Sequence, residues 1–258
     1  MLGAIIGDIA GSRYERENHK SKDFELFPQD CHFTDDSVMT LAVFDALLEN
    51  KMAGIDDLSK ITIKKLQQYG RKYPNAGYGS MFRQWLKSED PKPYGSWGNG
   101  SAMRISPVIY FAKDKVHLYE LVDTITSVTH NHPNGIKGAR AIAWAAYLAR
   151  LGATKEQIRR EIESEFYKLD FTIDELRPTY KFDVSCEGSV PQAIVAFLES
   201  TSYEDAIRNA ISLGGDSDTI AAMAGAIAEQ FWGIPEEIAN KGQTFLDMDM
   251  LLLLHKSI

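Results

Sequence analysis

The stretch Ile220-Ala221-Ala222-Met223-Ala224-Gly225-Ala226-Ile227-Ala228 carries no polar side chain on any side. A helix that is apolar all round is surrounded by other elements. The run is far short of the ~20 residues that span a bilayer, so its surroundings are protein. Val38-Met39-Thr40-Leu41-Ala42-Val43-Phe44 reads in the same way. Both segments are expected at the centre of the molecule. Near the start of the chain Gly3, Gly7 and Gly11 recur every four residues. That spacing puts them on one helix face, where a neighbouring backbone can come close.

Helical periodicity continues outward from these two segments, and β-branched alternation bounded by turns is nearly absent, which points to an all-α fold. The pattern predicts helices over 2–11, 36–49, 56–70, 79–87, 99–112, 114–129, 134–151, 154–167, 190–199, 203–212, 217–232 and 243–255. No linker or internal repeat divides them, so residues 1–258 are expected to form a single domain.

The 258 residues hold 28 Lys+Arg against 36 Asp+Glu, a formal charge of −8. An acidic chain is poorly suited to neutralising nucleic-acid phosphates, so no nucleic-acid backbone binding is expected. With 44% hydrophobic residues, 19 Gly and 9 Pro, the chain is neither disordered nor fibrous. Cys31 and Cys186 make no disulfide framework and no zinc spacing. The apolar start of the chain is interrupted by Asp8 and lacks a basic leader, so it does not read as a signal peptide. A cytoplasmic protein without membrane attachment is the expectation.

Each central helix opens on carboxylates: Thr34-Asp35-Asp36 before the first, and Gly214-Gly215-Asp216-Ser217-Asp218-Thr219 before the second. One Asp at each end would be explained by capping orphan N–H groups at the positive end of the helix dipole. Two at each end, on helices that lie in the core, bring four negative charges into partial burial, at several kcal/mol for each unpaired ion. No Lys or Arg is adjacent to either motif. Clustered Asp and Thr oxygens suit hard divalent cations, Mg²⁺ or Mn²⁺, rather than Zn²⁺. Capping and metal binding both remain open on spacing alone.

Asp216-Ser217-Asp218-Thr219 also matches the D-x-D-x-T nucleophile loop that haloacid-dehalogenase-type phosphatases place after an early strand. Here Ala206, Ile207, Ala210, Ile211 and Leu213 precede it at helical spacing, and it lies late in the chain.

Ser96-Trp97-Gly98-Asn99-Gly100-Ser101-Ala102-Met103-Arg104 is a glycine-rich turn running into a predicted helix. Its backbone N–H groups would form an anion nest that fits a phosphate or pyrophosphate, although an ordinary loop and cap is the more frequent reading. Trp97 and Tyr94 would stack on a base or simply pack. Residues 15–33 form a long polar stretch with little pattern. A loop of this length is uncommon unless functional, and it would carry Glu15 or Glu17 to the acidic cluster. His130 and His132 have H-x-H spacing, but Pro133 holds His132 in a turn. His130 is expected first as a helix-end hydrogen-bonder and second as a ligand contact.

Five blocks, Gly7-Asp8-Ile9-Ala10-Gly11-Ser12 with Glu15, Phe33-Thr34-Asp35-Asp36-Ser37, Gly98 to Arg104, Thr129-His130, and Gly214 to Thr219, together resemble the ADP-ribosylglycohydrolase family. The resemblance implies a compact, orthogonal multi-helix bundle with a dinuclear Mg²⁺ or Mn²⁺ centre in a cleft between central helices. The metal ligands would be Thr34, Asp35, Asp36, Asp216, Asp218 and Thr219. Glu15, with Asp35 and Asp36, would be catalytic, and Glu17 is the alternative acid/base if the loop register differs. Gly98, Asn99, Gly100 and Ser101 would cradle the pyrophosphate of ADP-ribose, with Met103, Trp97 and His130 lining the cleft. The activity implied is hydrolysis at C1 of the distal ribose, releasing ADP-ribose from a protein side chain or small-molecule acceptor. A silent, crystallin-like ADP-ribose binder of the same fold is the second reading. It gains nothing from the burial cost of four aspartates.

Overall fold

The computed structural model describes residues 1–53 and 57–256. Helices α1 (Leu2–Ser12), α2 (Asp35–Ala53), α3 (Leu58–Lys72) and α4 (Ser80–Lys87) come first. Then follow α5 (Lys115–Thr126), α6 (Pro133–Arg150), α7 (Lys155–Glu165), α8 (Ile173–Leu176) and α9 (Cys186–Leu198). The chain closes with α10 (Tyr203–Ile211), α11 (Ser217–Trp232), α12 (Glu236–Gln243) and α13 (Met248–Leu254). No strand occurs among the described residues; one isolated bridge pairs Gly98 with Ser185. Among the described residues no helix is long and apolar enough to cross a membrane.

Helix α11 is the axis of the bundle, buried from Ser217 through Ala228 and packed by α1, α6, α9 and α10. The α1 glycines set the closest of these approaches. A Cβ at Gly3 would meet the Gly225 carbonyl, one at Gly7 the Ala221 carbonyl, and one at Gly11 the Asp218 backbone. Helix α2 packs on α1, and its 38–44 segment is wholly buried. The two helices with acidic mouths thus flank α1 at the centre of one hydrophobic core.

Three predicted helices are corrected, and two short helices, α8 and α12, form where the pattern predicts none. The helix expected over 99–112 is two short 3-10 turns, Asn99–Ser101 and Ser106–Tyr110, because Pro107 removes a donor and restricts Ser106. The helix expected over 243–255 is shortened to α13, which starts where the Asp247 side chain caps Met250 N–H. The helix placed at 190–199 begins at Cys186, with Pro191 inside it and the Ser185 side chain capping Gly188 N–H. Helix α8, one turn nucleated by the Thr172–Glu175 capping box, was not anticipated.

Residues 13–33 contain no helix but are held at several points. Lys20 Nζ donates to Tyr180 O at 2.7 Å and to Leu213 O. Arg208 Nη1 donates to Phe24 O at 2.7 Å, and Asn18 Oδ1 accepts from Gly215 N–H at 3.3 Å. The Gly214-Gly215 turn that meets Asn18 has φ near +68° at both residues, a conformation only glycine adopts without strain.

Candidate metal centre

Asp8 is the charged residue of an otherwise apolar and small α1, and it is fully buried. Its Oδ2 accepts from Thr34 N–H at 2.9 Å, from Ser37 N–H at 3.1 Å and from the Ser37 hydroxyl. Its Oδ1 accepts the Thr34 hydroxyl proton at 2.6 Å. These bonds dock the mouth of α2 onto the middle of α1. On the other side of α1, the tight crossing at Gly11 brings in the mouth of α11. The Thr219 hydroxyl then donates to Asp36 Oδ2 at 3.2 Å, joining the two acidic motifs directly.

The resulting carboxylates form two overlapping groups. Oxygens of Asp8, Asp36 and Asp218 lie within 4.8 Å of one another, and so do oxygens of Glu15, Asp216 and Asp218. Asp218 belongs to both. Capping does not account for them: Asp216 is the N-cap residue of α11, yet its side chain makes no capping bond and instead accepts from Asn99 Nδ2 at 2.6 Å. Asp36 Oδ1 and Asp218 Oδ1 are buried with no hydrogen-bond partner. Unsatisfied buried carboxylate oxygens are costly, and a cation is the group that satisfies several at once. With oxygen donors alone and no Cys or His in either triad, the set fits Mg²⁺ or Mn²⁺.

The electrostatics agree. Burial raises the Asp8, Asp36 and Asp218 carboxyls, and the surrounding like charges raise Asp36 and Asp218 further. Asp35 is pushed up to about 7 by burial and by Asp8, and Asp216 to about 6 by burial against the Asn99 hydrogen bond. A site with so much uncompensated negative charge favours a bound cation.

The cleft above the cluster has a volume of about 1020 Å³ and is lined by Glu15, Thr34, Asp35, Asp36, Asp216, Asp218 and Thr219. Asp35 lies in this wall outside both triads. Glu17 does not approach the cluster; it is ion-paired with Arg13 at 2.6 Å. Gly98, Asn99, Gly100, Met103, Trp97 and His130 line the same cleft.

Ser101 is different: it is fully buried and its hydroxyl donates to Gly135 O at 2.8 Å, behind the turn rather than into the cleft. The anion nest is also narrower than the sequence implied. Gly98 N–H is taken by Ser96 Oγ and Asn99 N–H by Val184 O at 2.8 Å, leaving Gly100 as the turn residue that faces the cleft with its N–H unpaired among the described residues. His132 caps α6 through Asn134 N–H, as expected of a turn residue rather than a metal ligand.

Three residues were missed. Asp8 carries a signal in retrospect, a lone carboxylate on an apolar helix. Arg104 is fully buried and lines the cleft floor, so the fold brings in a cation that sequence adjacency did not offer. It makes no ion pair with the cluster; its Nη2 donates to Thr129 Oγ1 at 2.6 Å. Phe182, 55% exposed, and Trp97, 53% exposed, both line the cleft, with no sequence pattern to join them.

The sequence model for ADP-ribosylglycohydrolase matches residues 1–247. The chain is 26% identical to the ADP-ribosylhydrolase ARH3 of Mus musculus, over 97% of this chain and 88% of that protein. It is 25% identical to the Homo sapiens ADP-ribosylhydrolase ARH3, over 97% and 90%. The ADP-ribosylarginine hydrolase Tri1 of Pseudomonas putida is 26% identical over 91% of this chain and 70% of its own. Among solved structures, an ADP-ribosylglycohydrolase-related protein complex superposes with a TM-score of 0.71 at 20% identity, covering 100% of this chain and 97% of that one.

Proposed function

The chain belongs to the ADP-ribosylglycohydrolase family, and from that premise we propose that it is a divalent-metal-dependent hydrolase that releases ADP-ribose from an acceptor by cleaving the bond at C1 of the distal ribose. The observation that carries this reading is Asp218, shared by two carboxylate triads in which Asp36 Oδ1 and Asp218 Oδ1 are buried without a partner, at the base of a cleft.

Two cations would be held by Asp36, Asp216 and Asp218, with Thr34, Asp35 and Thr219 around them. When bound, they would supply Lewis-acid charge at the ribose hydroxyls and the reacting water. Glu15, whose carboxylate lies within 4.8 Å of those of Asp216 and Asp218, would take a proton from the water that attacks C1. The bond from C1 to the acceptor breaks as the new C1–oxygen bond forms, and the acceptor leaves with a proton. The carboxylate ring favours the positive charge that develops on the sugar. Gly100 N–H would bind a pyrophosphate oxygen, and Trp97 with Phe182 would hold the adenine. We read residues 1–258 as one domain.

The acceptor is set by the rest of the rim, where Arg16, Met81 and His32 stand. A release assay over defined ADP-ribosylated arginine, serine, nucleobase and small-molecule acceptors, with and without added Mg²⁺ or Mn²⁺, tests the reading. Metal-dependent release from at least one acceptor is expected. Binding of ADP-ribose with no release from any of them would favour the silent binder.

A further inference from the structure

Arg104 is the largest fully buried side chain among the described residues, and the proposed reaction gives it no part. It lies over the Phe82 ring, 5.5 Å from guanidinium carbon to centroid. Its Nη2 donates to Thr129 Oγ1 at 2.6 Å and lies 3.5 Å from His130 Nδ1. Thr129 Oγ1 is in turn 2.7 Å from the same Nδ1. A guanidinium has no acceptor, so the direction of this chain is fixed at its start. The Thr129 oxygen accepts from Arg104, its own proton is free to go to His130, and Nδ1 faces two donors. Nη2 has no lone pair to meet a proton on Nδ1, so the arrangement favours Nδ1 as the acceptor with the ring proton on Nε2.

We propose that Arg104 and Thr129 are positioning residues that lock His130 as the neutral Nε2–H tautomer, presenting a fixed, uncharged hydrogen-bond donor to an oxygen of the bound ligand. Nε2 faces the glycine turn: a Cβ built on Gly100 would lie 3.2 Å from it and one on Gly98 3.8 Å. It makes no hydrogen bond to the protein among the described residues. Burial and the adjacent Arg104 charge both oppose a second ring proton and hold the imidazole well below its usual range. The opposite tautomer would aim a lone pair at the turn, which repels a phosphate or hydroxyl oxygen. The ligand class rests on the ADP-ribose reading above; the tautomer does not.

Long-range ¹H–¹⁵N correlation spectra of the ligand-free, full-length protein read the tautomer directly. At neutral pH the wild type is expected to show His130 protonated at Nε2 alone. Arg104→Met keeps an apolar body over Phe82 but removes the fixed donor, freeing the Thr129 hydroxyl to donate or accept. A tautomer mixture is expected, with ADP-ribose bound about tenfold more weakly, the loss of one hydrogen bond. Arg104→Lys, which restores a donor, should return the Nε2–H signal. Protonation at Nδ1 in the wild type, or a charged ring, overturns the proposal, as does an Arg104→Met spectrum identical to wild type. If Arg104→Met does not fold, the wild-type spectrum alone decides. An Nε2–H ring in a protein that does not bind ADP-ribose refutes the substrate reading and leaves the positioning role standing.

Discussion

The Thr34 hydroxyl gives its proton to Asp8 Oδ1 at 2.6 Å, and its oxygen accepts from Asp36 N–H at 3.3 Å at the mouth of α2. A threonine oxygen fixed in this way can only accept or ligate on its other side. Asp8 therefore determines how the mouth of α2 meets the site. It docks on two backbone N–H groups as well as the Thr34 and Ser37 hydroxyls.

Asp8→Asn keeps the shape of the side chain and turns an N–H toward donors. With the amide oxygen kept on the three donors that meet Oδ2, the amide N–H faces the Thr34 hydroxyl, which loses its acceptor and must turn its proton away. Urea unfolding should show a loss of about 1–3 kcal/mol, the cost of that one buried donor. Mn²⁺ affinity should fall as well, since Thr34 is no longer oriented. Unchanged affinity and stability would show that Asp8 is a bystander.

Asp218→Asn should act in opposite directions with and without metal. In metal-stripped protein it removes a buried like charge, and the melting temperature should rise by about 2–4 °C, equivalent to roughly 1 kcal/mol. With Mn²⁺ present the wild type should gain stability and the variant should not, because the shared ligand is gone. A differential scanning calorimetry series with and without metal gives both values. A variant still stabilised by Mn²⁺ to the wild-type extent would exclude Asp218 as a ligand.

The metal-free chain should lose stability as pH rises from about 4 to 7. Asp35 is raised to about 7 and Asp216 to about 6 in the folded state, against an ordinary 3.8. The folded state then holds more protons than the unfolded one across that window, so ΔG of unfolding falls with pH. Its contribution is complete below about pH 4 and spent above about pH 7. Added Mn²⁺ should therefore stabilise strongly at pH 8 and little at pH 5, where protons occupy the carboxylates. Equal stabilisation at both values would contradict the acidic ligand set.

Glu15→Gln should lower kcat by about 10²–10⁴-fold, the range of a lost acid/base group, with ADP-ribose affinity within about threefold. Glu17→Gln should leave turnover near wild type, because Glu17 is occupied by Arg13 outside the cluster. Single-turnover kinetics with calorimetric binding separate the two effects. The reverse ranking of the two variants would move the acid/base role to Glu17.

The central helices were legible because burial on all sides leaves an apolar run, and the acidic mouths because charge at such a helix end demands a partner. Convergence was less so. Asp8 lies within an apolar helix, and only the crossing of α1 with α2 and α11 reveals what its carboxylate faces. Arg104 reads as the polar end of a glycine-rich turn, yet the Ser106–Tyr110 turn buries it over Phe82. Ser101 reads as part of the cradle but points behind it, since a 3-10 turn places its side chain toward α6. Phe182 and Trp97 are remote in sequence, and no periodicity brings loop aromatics together.

The most direct measurement is the number of Mn²⁺ ions bound per chain, counted by calorimetric titration of metal-stripped wild-type protein at pH 8. The account predicts two, one for each triad that Asp218 closes. A chain that binds none, with ADP-ribose release undiminished in the presence of chelator, would contradict it.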